Sequence, residues 1–572
     1  MDISMADVGS DPPTMGRLLM ARAADDTVAL KFEHQQWTWR ELVHEAAHRT
    51  DLLTELRPID DRPWHVGVLM ENTPDYLFLI AGAMLCGATI VGLNHTRRGE
   101  AMAHDVATSD CVAVLTDAAT ERLLDTSSLH CPTLQMPTDA AATVSTPSLS
   151  VSASQPDTRL LLLFTSGSTG APKAVSCSTG RWARMCILNP IEFGPDDVAY
   201  NAMPLFHGNA LMSAWGPCLR SGAAFAMRRR FSASGFLPDI QRFGATFFNY
   251  VGRSLSYILA QPESPLEADN QLRFGFGTEA SLRDRSEFTR RYQTPLFESY
   301  GSSEGACYII RTPETPADSL GRPQAGHDPE ILRPDGTTCA TAAFDAGGTL
   351  INADDAVGEI VSRGGAALFE GYYRNPDATA ERIRGGDYWT GDLGYRDSDG
   401  NFYFAGRTGD WMRVDSENFT AAPIERILMR SKDVTAAAVY GVPDIRTGDQ
   451  VMASIQLHDG TQFDIDGFST FLQSQSDMSP KWMPQFIRIC AQTPITATMK
   501  IDKPSLRRQA WQCDEPVFER TQRGYRRMTD TRVDELLDEI IRHRSPGQYA
   551  ANNIMGKQTS GDTVAASCHD FD

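Results

Sequence analysis

The feature that most constrains the fold is an alternation, between residues 65 and 310, of short apolar runs with segments of helical character. The apolar runs are HVGVLM, YLFLIAGAML, ATIVGLN, AVLT, LLLFT, AAFAMR and ATFFNYV. Most of them have the length of one buried strand. Strands that alternate with helices pair in parallel through crossover connections. A largely parallel α/β architecture is therefore predicted for this part of the chain.

The pattern changes twice further along the chain. From Gly321 onward, short strands and turns such as GEIVSRGG and GNFYFAGR indicate a small antiparallel, barrel-like region. Near Arg407 a second unit begins, in which APIERILMR and FSTFLQSQ have helical periodicity and VTAAAVYGVP and QVMASIQL are typical of strands. A chain of 572 residues is too long for one hydrophobic core. The predicted fold class is α/β, with a large multi-sheet N-terminal domain and a small α+β C-terminal domain.

The predicted domain bounds follow from these changes of pattern. They are a disordered N-terminus at 1–14, an N-terminal domain at 15–407, a C-terminal domain at 408–544 and a disordered tail at 545–572. The tail is polar and aperiodic, which is typical of segments without a packed core.

Composition excludes several classes of function. The net charge of −20 argues against nucleic acid as a partner, since such binding needs clustered positive charge. The 11 cysteines include no C-x-x-C pair, so neither a zinc site nor a disulfide framework is predicted, and a reducing cytoplasm is the expected location. Peripheral association with a membrane stays open.

One uncharged run has the length of a membrane span. It covers 18 residues from Tyr76 to Leu93. Gly87 stands where a helix would end, and a β-rich stretch follows it. We therefore interpret the run as a buried helix and a strand, with no transmembrane segment.

The stretch Leu161 to Ala174, LLLFTSGSTGAPKA, predicts a strand that leads into a phosphate-binding loop. Its glycines permit turns, its hydroxyls donate hydrogen bonds and its lysine adds a positive charge. The candidate phosphate ligands are Thr165, Ser166, Gly167, Ser168, Thr169, Gly170 and Lys173. The loop differs from the common G-x-x-x-x-G-K-[ST] pattern, because Pro172 and Ala174 replace its glycine and its hydroxyl residue. Another class of ATP-binding protein is indicated.

Four further motifs follow in order along the chain. They are NAMPLFHG, ESYGSSEGA, YWTGDLGYRDSDGNFYFAGRTGD and TATMKIDKPSLR. Together with TSGSTGAPK, they resemble the signature motifs of the adenylate-forming superfamily of acyl-CoA synthetases, adenylation domains and luciferases. The resemblance covers roughly residues 25 to 525. Strings such as EGYYRNPDATAER and GDWMRVDSENFTAAPIE are most similar to the fatty-acid-transport-protein branch and to actinobacterial long-chain fatty-acid–CoA ligases.

The resemblance implies a role for the motif ESYGSSEGA. Tyr300 would offer a flat face to adenine, and Gly301 would let the backbone approach the nucleotide. Ser302 and Ser303 would donate hydrogen bonds to the α-phosphate. Glu304 would be a catalytic residue and a hard oxygen ligand for Mg²⁺, which would neutralise charge on the departing pyrophosphate.

The other motifs are assigned in the same way. Asp392 would accept hydrogen bonds from the ribose hydroxyls, and Arg407 would hold ribose or phosphate. The residues after Arg407 match the family hinge, so the C-terminal domain is expected to be mobile. Lys500 would bridge the attacking carboxylate and the α-phosphate, whereas Lys503 is interpreted as a solvated charge. His207 would orient the carboxylate or control the path of the acceptor, the alternative being a hydrogen-bonded structural histidine.

The identity of the acid is the least constrained prediction. Candidate substrate-binding residues are Asn209, Asn249, Gly252, Gly277 and Ser416. Trp215 is also close in sequence to these motifs and is interpreted as core. Ser416 stands where the family usually has glycine, near the expected path of the pantetheine arm.

The predicted activity is ATP-dependent activation of an acid as an acyl-adenylate, followed by transfer to coenzyme A. The expected cofactors and partners are ATP, Mg²⁺, a small carboxylic acid and coenzyme A. One alternative keeps adenylation and changes the acceptor or the acid, to a carrier protein, an amine or a small acid such as nitrite. Another is a binding or transport scaffold without turnover. The sequence predicts no oligomeric state.

Overall fold

The structure is a computed structural model that describes most of the chain. The described residues are 13–136, 154–165, 172–189, 191–312, 314–345, 350–407, 411–414, 417–444, 448–496, 499–522 and 524–542. The predicted ligands Ser166, Gly167, Ser168, Thr169, Gly170 and Ser416 lie outside these ranges. The predicted disordered ends lie almost wholly outside them as well.

The chain divides into two compact units. Unit 1 is Met1–Gly409 with Ile495–Lys500, and unit 2 is Asp410–Pro494 with Ile501–Asp572. The mixed α/β class, with a large multi-sheet N-terminal part and a smaller C-terminal part, is confirmed. The predicted domain bounds stay predictions.

A parallel sheet of unit 1 carries the strand that precedes the phosphate loop. In spatial order its strands are Thr133–Gln135, Cys111–Thr116, His65–Leu69, Thr89–Gly92, Arg159–Thr165 and Lys173–Ser178. The pairs are parallel except for the last, which is antiparallel and joins Thr165 to Lys173 in register. The residues predicted to bind phosphate thus begin at the carboxyl end of a buried strand.

A second sheet of unit 1 is parallel at its centre and antiparallel at both edges. Its strands, in spatial order, are Arg322–Pro323, Ile309–Ile310, Leu296–Tyr300, Phe274–Thr278, Phe247–Val251, Val198–Asn201, Ala224–Met227, Val28–Phe32 and Gln35–Thr38. The six strands from Leu296–Tyr300 to Val28–Phe32 run parallel, as the alternating apolar pattern predicts.

The region after Gly321 forms the predicted antiparallel sheet. Its strands are Pro329–Leu332, Gly358–Ser362, Asp387–Arg396, Ile383–Arg384 and Phe402–Arg407. Asp392 and Arg407 face each other across the last strand pair.

Helices accompany the three sheets of unit 1 in the described part of the chain. Their bounds are Met15–Met20, Trp39–Glu55, Pro74–Cys86, Gly99–Thr108, Thr179–Ile187, Gly208–Ala210, Gly216–Ser221, Ala233–Phe243, Gly252–Leu259, Leu282–Tyr292, Ala353–Ala356 and Pro376–Arg382. A π-helical turn spans Leu211–Trp215, and short 3₁₀ turns lie at Glu121–Leu123, Thr126–Ser128, Pro265–Glu267 and Gly365–Leu368.

The long uncharged run is a buried helix followed by a strand, as predicted. The helix Pro74–Cys86 has Thr73 as its N-cap and ends at Gly87, whose φ of +82° favours glycine. The strand Thr89–Gly92 follows and is fully buried. Among the described residues, no helix has both the length and the apolar character needed to cross a membrane.

Unit 2 is an α+β unit with its own core. Its strands are Trp411–Val414, Glu417–Thr420, Val434–Asp444, Gly448–Leu457, Phe486–Cys490, Val517–Thr521 and Gly524–Arg527, and its helices are Ala421–Leu428, Ile465–Ser474, Lys503–Gln509 and Asp530–Arg542. The strands and helices predicted from 422 to 475 are confirmed.

Candidate active site

Several predicted site residues of unit 1 follow the carboxyl ends of parallel strands in the nine-stranded sheet. His207 follows the strand Val198–Asn201, Gly252 follows Phe247–Val251, and the motif from Tyr300 to Glu304 follows Leu296–Tyr300. Parallel strands present their carboxyl ends at one edge of the sheet, where open α/β proteins bind their ligands. The topology therefore brings separated motifs to one edge.

His207 is a largely buried histidine at the end of the motif NAMPLFHG. It is the N-cap residue of the helix Gly208–Ala210, and its ring lies 4.5 Å from that of Phe206. Its Nε2 atom is buried, and none of the described residues forms a hydrogen bond with it. Burial, the Lys500 ammonium and His95 lower the pKa of His207 to about 3. The neutral ring can therefore orient a substrate group without adding charge to the site.

The two predicted substrate-binding asparagines, Asn209 and Asn249, are joined by a hydrogen bond. Asn249 Nδ2 donates to Asn209 Oδ1 over 2.6 Å and to Asn201 Oδ1 over 2.9 Å. Asn249 is only 4% exposed, and its Oδ1 atom accepts no hydrogen bond from any residue that the structure describes. Buried polar atoms are normally satisfied, so this oxygen is suited to a substrate or to water.

Glu304 is held by a tyrosine that sequence reasoning missed. The Tyr372 hydroxyl donates to Glu304 Oε1 over 2.7 Å, and burial together with this carboxylate raises the pKa of Tyr372. Lys173 is the first residue of its strand, is 8% exposed, and places its Nζ 5.3 Å from the Tyr372 ring. Glu304 and Lys173, from two motifs, therefore share Tyr372 as a neighbour.

The surroundings of Glu304 bear on its predicted role as a metal ligand. Among the described residues, no group of three or more histidine, cysteine or acidic side chains could hold a metal ion. Mg²⁺ is usually bound by one or two carboxylates, waters and substrate phosphates, which a single buried glutamate fits. Tyr372 donates to one oxygen, Oε1, and no hydrogen bond to Oε2 is found within the described part of the chain. One free carboxylate oxygen is compatible with a metal ion whose other ligands are phosphates and waters.

Asp392 is fixed by its neighbours at the end of the antiparallel sheet. The Tyr300 hydroxyl donates to Asp392 Oδ2 over 2.8 Å, and Arg407 Nε lies 3.5 Å from Oδ1. Burial raises the pKa of Asp392, against the lowering effects of Arg407, Tyr300 and Lys500. The Tyr300 hydroxyl thus has a partner, and the predicted ribose ligand stands beside the predicted adenine neighbour.

Lys500 lies in the segment Ile495–Lys500, which groups with unit 1. Thr496 N donates to Lys500 O over 2.7 Å, and Met499 adopts a left-handed φ of +61° directly before the lysine. A left-handed φ of this kind is uncommon for a residue other than glycine. Lys500 Nζ donates to Glu279 Oε1 over 2.5 Å.

The structure brings part of the predicted site together. The charge of Lys500 acts on both His207 and Asp392, so these three residues share one electrostatic environment. Ser302 is exposed and Ser303 is half-buried, and the carbonyl of Ser303 accepts a hydrogen bond from Arg181 Nη2 over 2.7 Å. Thr165 ends its strand at the start of the loop.

Two predictions outside the central cluster have clear outcomes. Trp215 is fully buried against Trp182, as expected for a core residue. Lys503 belongs to unit 2, where its Nζ lies 2.8 Å from Glu425 Oε1. The interpretation of Lys503 as a solvated charge was wrong, because the helix Lys503–Gln509 starts beside an acidic partner.

Sequence reasoning missed Tyr372 and Glu279. Tyr372 lies in EGYYRNPDATAER, which was used only as a resemblance. Glu279 comes directly after the strand Phe274–Thr278. An acidic side chain at the carboxyl end of a predicted parallel strand could have indicated Glu279 as a site residue, because ligands bind at that edge of the sheet.

Two family models and several known enzymes match this chain. The family model described as AMP-binding enzyme matches residues 20–373, and that of the AMP-binding enzyme C-terminal domain matches residues 423–500. The chain is 46% identical to a steroid-22-oyl-CoA synthetase of Rhodococcus jostii, over 93% of this chain and 98% of that enzyme. It is 42% identical to the medium/long-chain-fatty-acid–CoA ligase FadD17 of Mycobacterium tuberculosis, over 88% of this chain and 98% of that enzyme.

A solved structure supports the fold. A benzoate CoA ligase from Burkholderia xenovorans matches with a TM-score of 0.75 at 20% identity, over 86% of this chain and 100% of that one. The resemblance to adenylate-forming enzymes is confirmed by the two family models and by relatives that are themselves CoA ligases. The chain belongs to the AMP-binding enzyme family.

Proposed function

We propose that this chain is the CoA ligase of a steroid that carries its carboxylate at carbon 22. The broader activity, ATP-dependent activation of an acid and its transfer to coenzyme A, is that of its relatives at 41–46% identity. A carboxylate oxygen attacks the α-phosphorus of ATP, and pyrophosphate leaves. The thiol sulfur of coenzyme A then attacks the acyl carbon, and AMP leaves with the oxygen that joined the two.

One observation carries the choice of acid. The identity to the steroid-22-oyl-CoA synthetase extends over 544 residues at 46%, against 42% over 511 residues for FadD17. A medium- or long-chain fatty acid is the second candidate because of that FadD17 similarity. Trp215 packs in the core, so it does not count against a bulky acid.

The residues around the site support a division of roles. Lys500 supplies a positive charge to the oxygens of the carboxylate and the α-phosphate, which gain negative charge during displacement. His207 and the Asn209–Asn249 pair orient the acid through His207 Nε2 and Asn249 Oδ1, to which no described residue hydrogen-bonds. Asp392, Tyr300 and Arg407 hold the nucleoside, and Lys173 with the hydroxyl loop holds the phosphates.

Mg²⁺ is part of the proposal. Glu304 would be its protein ligand, and Tyr372 would orient that carboxylate through its hydroxyl. When bound, the metal neutralises charge on the departing pyrophosphate.

The acceptor and the location complete the proposal. We assign coenzyme A as the acceptor, with a carrier protein or an amine as alternatives if Ser416 narrows the pantetheine path. The cytoplasmic location predicted from the cysteine pattern is likewise part of this proposal.

The test compares four acids in the presence of ATP, Mg²⁺ and coenzyme A: a steroid-22-oic acid, dodecanoate, hexadecanoate and benzoate. The expected result is that kcat/KM for the steroid acid exceeds that for each other acid by about tenfold or more, since a shaped apolar pocket discriminates by about 10- to 200-fold. A higher value for dodecanoate or hexadecanoate would contradict the steroid assignment and favour the fatty-acid candidate. Accumulation of acyl-AMP without thioester would reject coenzyme A, and no product from any acid would favour a scaffold without turnover.

A further inference from the structure

We propose that Glu279 is a positioning residue for Lys500 and holds its ammonium ready for adenylation. The inference rests on the proposed function, because that function assigns Lys500 its role. Lys500 Nζ and Glu279 Oε1 are 2.5 Å apart, although 221 positions separate the residues in the chain. A contact of this kind is a product of the fold and not of local sequence.

The backbone that presents Glu279 is unusual. Glu279 has a φ of +66°, a left-handed conformation that is uncommon for residues other than glycine. Such conformations persist only where the surrounding structure imposes them, and they concentrate at functional sites. The conformation turns the chain between the strand Phe274–Thr278 and the helix Leu282–Tyr292.

Hydrogen bonds fix the backbone directly after Glu279. Ala280 N donates to Glu298 Oε1 over 2.8 Å, and Arg285 Nη1 lies 3.5 Å from the other oxygen of Glu298. Ser281 caps the helix by accepting a hydrogen bond from Asp284 N over 3.0 Å. The side chain of Glu279 therefore starts from an anchored backbone.

Gly252 gives the turn its room. A Cβ at Gly252 would overlap the carbonyl group of Glu279 and would come within 2.7 Å of Ala280 N. Real Cβ atoms do not approach backbone so closely. The predicted substrate-site glycine thus allows the carbonyl of Glu279 to pack against it.

The electrostatics indicate what the pairing achieves. The ammonium of Lys500 acts on His207 and Asp392, so Glu279 holds the charge where it reaches both. The two side chains are 38% and 50% exposed. Ion pairs of this exposure shift an equilibrium by only about 1.5- to 5-fold. Glu279 thus orients the ammonium weakly enough for the charges of the acid and ATP to attract it.

The first experiment measures adenylation and thioester formation separately in the variant Glu279→Gln. The substrate is whichever of the four acids named above the wild-type protein activates best. We expect acyl-AMP formation to slow by about 2- to 5-fold, and thioester formation from supplied acyl-AMP to keep the wild-type rate. In a Lys500→Ala background, Glu279→Gln is expected to add no further loss. Glu287→Gln is the matched control, since Glu287 is exposed on the adjoining helix and pairs with Arg290 at 2.7 Å.

The second experiment needs no acid. Acetic anhydride labels lysine amines, and peptide mass spectrometry gives the rate at Lys500. Glu279→Gln is expected to raise this rate by about 2- to 5-fold, because the hydrogen bond to Glu279 must open before the amine reacts. Glu279→Asp keeps the charge and should give an intermediate rate, and Glu287→Gln should give the wild-type rate.

The outcomes separate this inference from the proposed function. Wild-type protein that acts on none of the acids would contradict the proposed function, while the labelling would still test the pair. Unchanged labelling at Lys500 in Glu279→Gln would overturn the inference. So would faster adenylation in that variant, or equal loss in both half-reactions.

Discussion

At the scale of single residues, the site is defined by polar atoms whose partners are missing or come from distant parts of the chain. The Nε2 of His207 and the Oδ1 of Asn249 are buried, and the described part of the chain offers neither atom a hydrogen-bond partner. Glu304 and Asp392, by contrast, each accept a hydrogen bond from a tyrosine. The first pair is available to a ligand, and the second is held in place by the protein.

The state of His207 gives a prediction about pH. Its pKa of about 3 means that the folded protein binds fewer protons at this residue than the unfolded chain between about pH 6.5 and pH 3. The contribution of His207 to the free energy of unfolding is therefore fully present above pH 6.5 and decreases as the pH falls. We expect the ring to stay neutral from pH 5 to 8 in an NMR titration of ¹⁵N-histidine-labelled protein.

The variant His207→Gln identifies the NMR signal of His207 and is the control for the pH dependence of stability. The variant should lose the His207 signal and show a weaker decrease of the unfolding free energy between pH 6.5 and 5. Protonation of His207 with a midpoint near 6.5 would mean that the ring is hydrated, contrary to the burial described here.

At the scale of elements, the alternation of phenylalanine and glycine in the strand Phe274–Thr278 contributes both to sheet packing and to the candidate active site. Gly275 and Gly277 alternate with Phe274 and Phe276 and therefore lie on one face of the strand. A Cβ at Gly277 would lie 2.5 Å from the ring and the carbonyl oxygen of Tyr250 on the neighbouring strand. The close strand contact depends on these glycines.

Gly277→Ala should therefore destabilise unit 1. Overpacking of a well-packed interior typically costs about 1–3 kcal/mol, and we expect a decrease of that size in the free energy of unfolding measured with urea. Gly194→Ala is the control, since a Cβ there would approach nothing closer than Asp197 Oδ2 at 3.9 Å. It should change stability by less than about 0.5 kcal/mol. Equal stability of the two variants would argue against the close strand contact.

Elements were predicted from sequence where local chemistry decides them. Gly87 ends the helix Pro74–Cys86 because the backbone needs a left-handed residue there. The short run of apolar residues before the hydroxyl-rich stretch predicts the strand Arg159–Thr165. Glu279 and Tyr372 could not be predicted in the same way. Their partners are 221 and 68 residues away, so only the folded chain reveals the pairs.

At the scale of the whole molecule, family membership and site geometry point to the same chemistry. The matched regions, residues 20–373 and 423–500, include every residue to which we assign a role except Asp392, Arg407 and Ser416. Those three lie between the two matches. The proposed reaction requires that the acid is joined to AMP before it reaches the thiol.

The most direct measurement of that claim uses a steroid-22-oic acid labelled with ¹⁸O in its carboxylate. After incubation with ATP, Mg²⁺ and coenzyme A, mass spectrometry of the nucleotide product is expected to show AMP that carries one ¹⁸O atom, because the carboxylate oxygen stays on phosphorus when the thiol displaces AMP. Unlabelled AMP accompanying steroidal thioester, or ADP in place of AMP, would contradict the account.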